Sequence, residues 1–399
     1  MIVGLYGIQG VYNFGCEAIV RGAFKFAKTI FPESQIVYFT FSESYDKEIL
    51  NDLDLEIVPV KSEFSFFKRI VNKVCKVFDF DRRFLMIDYN AIIDNVDIII
   101  SIGGDIYTIP QVFREQSKYP YYNPLVDFCE RAIRKGKTVI VYGASVGPWG
   151  NYKKAIEYNI QALNKYKVIL CREVESIDYL HSLGLDNTTF FPDPAFQIRK
   201  QITSVDKKYI GINLSPLSLQ ELYGVVDDKC ISKMATLIDC LYESTNINLL
   251  FIPHVLSHNE MDNDLWFMEK IREKMTHKDI VVFADSSNGF LGLKEYIAQC
   301  FVVASARMHC AINAIDENVP AIFLAYSQKS VGMCKYIYGN EKYLVDLKKI
   351  DTDLVDAIHM ALKEHEKISE YLVKRNKEIE NYYKENISDI RKLVFEKKD

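Results

Sequence analysis

No stretch of the 399-residue chain approaches the roughly 18 consecutive apolar residues that span a bilayer, so any membrane contact is expected to be peripheral. The amino terminus, MIVGLYGIQG, lacks the basic region and sustained apolar core of a secretion signal and reads as a first strand. Positive charge is not in excess: 49 Lys and Arg stand against 54 Asp and Glu, a net charge of -5, which leaves no broad basic surface for nucleic acid. The nine cysteines contain no C-x-x-C pair, and Cys129, Cys171, Cys240 and Cys300 sit in apolar runs. Such a set is expected to be reduced core thiols of a cytoplasmic protein. The G-x-G-x-x-G spacing of a dinucleotide site is also missing. His258, Glu260, Asp262 and Asp264 are irregularly spaced at a helix start, which favours capping and a solvated face, so no metal is expected.

What is present is an ordinary globular balance, 49% hydrophobic and 26% charged, in a chain long enough for two domains of roughly 200 residues. Short apolar runs at 2–6, 35–39, 55–58, 96–102, 138–142 and 168–171 alternate with helical patterns such as 17–30, 45–52 and 125–134. Residues 198–207, IRKQITSVDK, are polar and aperiodic and read as a linker. A second series of runs follows at 209–213, 247–252, 280–283, 301–304 and 321–326, with 214–226 read as a loop. This order predicts an α/β protein of two Rossmann-like domains, 1–197 and 208–350, facing a cleft, with charged amphipathic helices over 351–399 packing back across them. A helix over 64–78 places Phe64, Phe67, Ile70, Val71 and Val74 at helical spacing among Lys68, Arg69, Lys73 and Lys76. It reads as a solvated face, with contact to anionic lipid or a lipid-linked substrate as the alternative.

In open α/β sheets, ligands gather at the carboxyl ends of strands, where helix N-termini bring unpaired N–H groups. Arg307 and His309 follow the 301–304 run, Asn313 shares a helix face with His309, and Lys329 lies just past the run opened by Pro320. Arg supplies a fixed cationic fork and His a proton near neutral pH, so this rim suits a small, multiply anionic ligand. His254 stands at the end of its own strand. Gly103 and Gly104 let a ligand approach the backbone, with Asp105 as hydroxyl ligand or base. The long stretch from Ile106 to Asn123, with Tyr107 among its aromatics, reads as a sugar-facing loop, with packing over the sheet as the competing account. Ser145, a candidate substrate contact, lies in a glycine turn whose Pro148 leaves no helix starting on the serine, which argues against a hydrolase. Arg172 closes another strand, and Asp193, between two prolines, reads as bracing its turn.

Ser305, Arg307, His309, Ala314, Pro320, Tyr326 and Lys329 resemble the S-R-x-H-x-x-x-x-A, Pro-led strand and Y-x-x-K pattern of the polysaccharide pyruvyltransferase family, with Ala306 between the Ser and the Arg. Asn13 to Ala18 resembles that family's N-x-G-D-E-A signature, bringing in Asn13 and Glu17 as candidate substrate contacts, but Cys16 stands where the family has Asp. Gly143 to Pro148 and Pro192-Asp193-Pro194 resemble its G-x-S-x-G-P and P-D-P turns. The resemblance runs from Asn13 to Lys329 and implies a GT-B-like fold with an acceptor-side first domain and a donor-side second. It also implies pyruvyl transfer from phosphoenolpyruvate to two sugar hydroxyls, giving a cyclic ketal and phosphate, in cell-surface or capsular polysaccharide biosynthesis. Phosphoenolpyruvate would be a substrate with no further cofactor, and the acceptor a nucleotide sugar or a lipid-linked glycan, in the cytoplasm or at the inner face of the membrane. Arg172, which the family places on its anionic donor, Arg307 and Lys329 would then neutralise that donor. His309, with His254 second, would be acid or phosphate ligand, and Asp105 acceptor base. The alternatives are a GT-B glycosyltransferase using a nucleotide sugar and, because of Cys16, a catalytically silent carbohydrate-binding homologue.

Overall fold

The computed structural model describes the chain apart from residues 63–64, 79–82, 85, 201, 203–204, 327 and 397–399 and the side chains of 221, 222 and 328. It divides into two compact units, one of Met1–Val11, Ile19–Pro194 and Tyr383–Asp399, the other of Tyr12–Ala18 and Ala195–Tyr382. The first is built on β1 (Ile2–Tyr6), β2 (Gln35–Thr40), β3 (Glu56–Pro59), β4 (Ile98–Ile102), β5 (Thr138–Ala144), β6 (Val168–Cys171) and β7 (Thr188–Phe190), in the order β3-β2-β1-β4-β5-β6-β7. Every pairing is parallel. The run IIISI in β4 is buried at all its positions, as a strand covered on both faces requires.

The second unit repeats the design with β8 (Tyr209–Asn213), β9 (Leu249–Phe251), β10 (Val281–Phe283), β11 (Cys300–Ser305), β12 (Ala321–Ala325) and β13 (Leu344–Asp346), ordered β10-β9-β8-β11-β12-β13 and again all parallel. Parallel pairing sends each chain back by a crossover, so all carboxyl ends in a sheet share one edge. In β8 and β11 the register sets Asn213 opposite Ser305, two polar residues ending otherwise apolar strands.

Residues 214–226, expected as a loop, contain the helix Pro216–Tyr223. Ser215 caps it by accepting from the Ser218 N–H at 3.4 Å, Pro216 sits where no N–H is needed, and Leu219 turns inward. Helices Lys153–Leu163 and Gln328–Tyr338 were likewise not foreseen. Cys240 is exposed, whereas Cys129, Cys171 and Cys300 are buried as expected of core thiols. Phe64 of the expected basic helix and Gln201, Thr203 and Ser204 of the expected linker lie outside the described residues.

The helix His365–Phe395 serves both units in turn. Ile368, Leu372 and Ile379 enter the core of the second, where Asn376 Nδ2 donates to the Ile315 carbonyl at 2.7 Å. Further along, the ring of Tyr383 lies 5.0 Å from Phe191 and that of Phe395 5.5 Å from Phe31, both in the first. Among the described residues no helix is long and apolar enough to cross a membrane.

Candidate active site

In the second unit the strand ends meet in one polar network. Asn213 is fully buried: its Nδ2 donates to the Ile252 carbonyl (2.9 Å) and Asp264 Oδ2 (3.1 Å), and its Oδ1 accepts from Ser305 Oγ (3.1 Å) and the Arg307 N–H (2.9 Å). Asp264, equally buried, receives Arg307 Nε and Nη2 on Oδ1 (3.2 and 2.9 Å) and the His254 N–H on Oδ2 (3.2 Å). Asp262 takes a further bond from Nη2 at 2.9 Å. The expectation of capping and a solvated face for these two aspartates is therefore corrected: Asn263 caps the helix Asp264–Lys274, and the aspartates hold Arg307. Arg307, 12% exposed, is consequently not a loose cation, and only Nη1 stays outside these bonds. Burial raises the Asp264 pKa against the pull of Arg307; burial alone would lower that of Arg307, but Asp264 and Asp262 hold it above its ordinary value.

His309 lies in the first turn of the helix Met308–Asp316, whose N-terminus has no side-chain cap. Such an end offers N–H groups to an anion. Gly15 packs against the ring: a Cβ there would stand 2.7 Å from Nδ1 and 2.8 Å from Cγ. His254, past the end of β9, is 1% exposed, edge-on to Phe14 (5.7 Å) and Phe290 (5.9 Å), and its Nε2 has no hydrogen-bond partner among the described residues. Burial, then His309, Arg307 and Lys294, keep its pKa well below the ordinary histidine value, so the ring is neutral at neutral pH.

Asn13, Glu17 and Asn313, expected as substrate contacts, each make a hydrogen bond within the fold. Asn13 Oδ1 accepts from the Gly15 N–H at 3.0 Å and starts the helix Phe14–Ile30. Glu17, fully buried, accepts from the Phe290 N–H at 2.6 Å and caps the helix Gly289–Ile297, for which Asn288 supplies no side-chain bond. Gly289 has φ +62° and a Cβ on it would meet Glu17 Oε2 at 2.2 Å, so glycine is required twice over. Asn313 Nδ2 donates to the Phe290 carbonyl at 3.1 Å. Together Glu17 and Asn313 fix the phenyl wall beside His254. Cys16 is half-buried in the same turn as Glu17, and Lys329, also half-buried, lies in the first turn of Gln328–Tyr338.

The first unit gathers its own rim. Arg172, 1% exposed, pairs through Nη1 with Asp193 Oδ2 at 2.9 Å and gives Nε and Nη2 to Ser145 Oγ at 3.1 and 2.9 Å. Its Nη2 is 3.6 Å from Oδ1 of Asp105, which is 46% exposed. Gly104 lies over the guanidinium, its carbonyl accepting from the Ser145 N–H at 2.7 Å, and Gly103 has φ +145°. Asp193 thus does more than brace a proline turn: fully buried, it neutralises Arg172. Tyr107 corrects the sugar-facing expectation. It is 1% exposed, its hydroxyl 2.8 Å from Ser101 Oγ and its carbonyl accepting from Trp149 Nε1 at 2.9 Å. Tyr119 and Tyr121 are buried too, whereas Val112 between them and Tyr107 is 68% exposed, so the stretch is buried only in part.

The sequence matches the polysaccharide pyruvyl transferase family over residues 13–328. The chain belongs to that family. Among curated proteins no sequence matches it. Similar solved structures include the UDP-GlcNAc 2-epimerase of Neisseria meningitidis bound to UDP-GlcNAc, with 8% identity, TM-score 0.56 and 93% of each chain covered. A glycosyltransferase of Rickettsia africae gives 11% identity and TM-score 0.53, covering 100% of this chain and 99% of that one. Anabaena Alr3699/HepE in complex with UDP gives 12% identity and TM-score 0.52, covering 97% and 99%. At such identities the likeness is one of fold, and the transferase is GT-B-like.

In this pyruvyl transferase the residues that organise the second rim, Asn213 and Asp264, were not singled out as functional from sequence. A polar residue ending a buried apolar strand is the signal that Asn213 carried. Asp264 carried none, because its partners stand far from it in the chain. A check on the site follows from His254. In the unfolded chain it takes a proton near pH 6.5 that the native ring refuses, so its contribution to stability is present above that value and lost below it, at about 1.4 kcal/mol per pH unit down to the folded pKa. In denaturant titrations the gap between wild type and His254→Gln is expected to narrow as pH falls from about 7 to about 5. Parallel curves would mean that His254 titrates as an ordinary histidine.

Proposed function

We propose that the protein transfers the pyruvyl group of phosphoenolpyruvate to two hydroxyls of a sugar, forming a cyclic ketal and inorganic phosphate during synthesis of a cell-surface or capsular polysaccharide. Beside family membership, one observation carries the reading: the N-terminus of Met308–Asp316 has no side-chain cap, with Arg307 Nη1 outside the carboxylate bonds and His309 in the first turn. A small phosphate-and-carboxylate anion suits that combination. Lys329, following the neighbouring strand β12, is the further cation proposed for the donor.

A proton adds to the methylene carbon of phosphoenolpyruvate, making it a methyl group and leaving C2 electron-poor. One sugar hydroxyl forms a C–O bond to C2, and the second displaces phosphate from the same carbon. The two protons given up by the hydroxyls match the one taken by carbon and the one that leaves with phosphate. His309 is the proposed acid or phosphate ligand, with neutral His254 behind it, and Asp105 in the first unit the proposed ligand or base for an acceptor hydroxyl. The acceptor is a nucleotide sugar or a lipid-linked glycan.

Calorimetric titration with phosphoenolpyruvate, UDP and inorganic phosphate tests this on wild type and Arg307→Lys, which keeps a charge beside Asp264 but loses Nη1. Phosphoenolpyruvate is expected to bind wild type and to bind the variant at least about tenfold more weakly. Binding of UDP alone would favour a GT-B glycosyltransferase, the reading supported by the likeness to a protein solved with UDP. Sugar binding without phosphate release would favour a silent homologue, the reading that Cys16 supports.

A further inference from the structure

The helix Phe66–Val77 in the first unit buries none of its residues. Phe66, Phe67, Ile70, Val74, Val77 and the adjoining Phe78 are 70%, 69%, 48%, 46%, 69% and 67% exposed. At 3.6 residues per turn these exposed apolar residues fall within an arc about 120° wide. Arg69, Lys73 and Lys76 lie beside that arc, and the helix, FFKRIVNKVCKV, contains no acidic residue. The side resting on the protein is the remaining one. Lys68, Val71, Asn72 and Cys75 are half-buried, and Asn72 ties the helix to the Phe84 backbone, donating to its carbonyl at 2.8 Å and accepting from its N–H at 2.6 Å. Phe84, itself 48% exposed, extends the apolar face 6.5 Å from the Phe67 ring. Apolar arc and basic flank therefore both point away from the protein.

We infer that this helix is a docking surface for an anionic phospholipid bilayer, lying in the plane of the interface with its phenylalanines among the acyl chains and its lysines and arginine on lipid phosphates. Twelve residues are about 18 Å of helix, too short to span and long enough to lie flat. Charge decides the occupant. Three basic residues, Arg69, Lys73 and Lys76, flank the arc and the helix carries no acidic residue, in a chain whose net charge is -5. A second copy laid on the same arc would set lysine against lysine, whereas an anionic bilayer meets both the apolar arc and the basic flank. The inference does not rest on the pyruvyl-transfer reading.

Flotation of the full chain with vesicles of phosphatidylcholine, or of phosphatidylcholine mixed with phosphatidylglycerol, tests it. The wild type is expected to float with the anionic vesicles only, and less so in high salt. Lys73→Glu with Lys76→Glu should weaken binding by at least about fivefold per basic charge removed. Phe67→Asp with Ile70→Asp should abolish it, with thermal midpoints unchanged because both side chains are exposed. A wild type that stays at the bottom of the gradient, or an apolar variant that floats like wild type, overturns the proposal. So does a dimer in sedimentation velocity that Phe67→Asp with Ile70→Asp dissociates, which would assign the face to a second copy of the chain.

Discussion

Turnover is expected to fall by about two to four orders of magnitude in His309→Ala, and Gly15→Ala, which removes nothing, is expected to come within reach of that loss. The expectation for Gly15 follows from distances alone. An added Cβ would stand 2.7 Å from His309 Nδ1, 2.8 Å from Cγ and 2.9 Å from Cβ. Because the histidine Cβ is among the atoms met, rotating the ring cannot relieve the contact and the whole side chain must shift. A displacement of about 1 Å at a reacting group costs on the order of a hundredfold. Stability should move much less, since alanine is favoured over glycine in a helix such as Phe14–Ile30 by about 1 kcal/mol, offsetting part of the strain. Phosphate release measured beside denaturant titrations separates the two effects. A Gly15→Ala enzyme with wild-type turnover would remove His309 from the proposed mechanism.

The strand-and-turn grammar was readable because it is local. Apolar runs such as 168–171 and 209–213 appear as strands at those bounds, and Arg307, His309 and His254 could be set on one rim by counting along the chain. What could not be read is who holds whom. Nothing near Arg307 in sequence announces that Asp262 and Asp264 bind it, nor that Glu17 caps a helix starting at Gly289. Nor could spacing tell a tyrosine facing sugar from one facing the core. Tyr107 is a core residue because Ser101, in the strand before it, supplies an internal partner for its hydroxyl. The helix Pro216–Tyr223 is different: Ser215-Pro216 is a local start signal that the reading of 214–226 as a loop passed over.

Arg172→Met is expected to destabilise the first unit by about 3–5 kcal/mol, and to lower its thermal midpoint by about 10 °C. The guanidinium is 1% exposed and Asp193, its partner at 2.9 Å, is fully buried, so removing one leaves the other as an uncompensated buried charge. Burial by itself would lower the Arg172 pKa, yet Asp193, Asp105 and Glu173 together hold it above the ordinary value, which marks the cation as strongly retained. Replacing both partners, Arg172→Met with Asp193→Leu, should recover much of the loss, because no charge then remains to be buried. The same series settles a functional question. A donor ligand must present donors to the donor, but Arg172 already gives Nε and Nη2 to Ser145 and Nη1 to Asp193. Arg172→Lys should therefore lose stability while keeping its affinity for phosphoenolpyruvate. Affinity lost with stability intact would instead restore the donor-binding role that the family resemblance implies, and would require the guanidinium to leave Asp193 when the donor arrives.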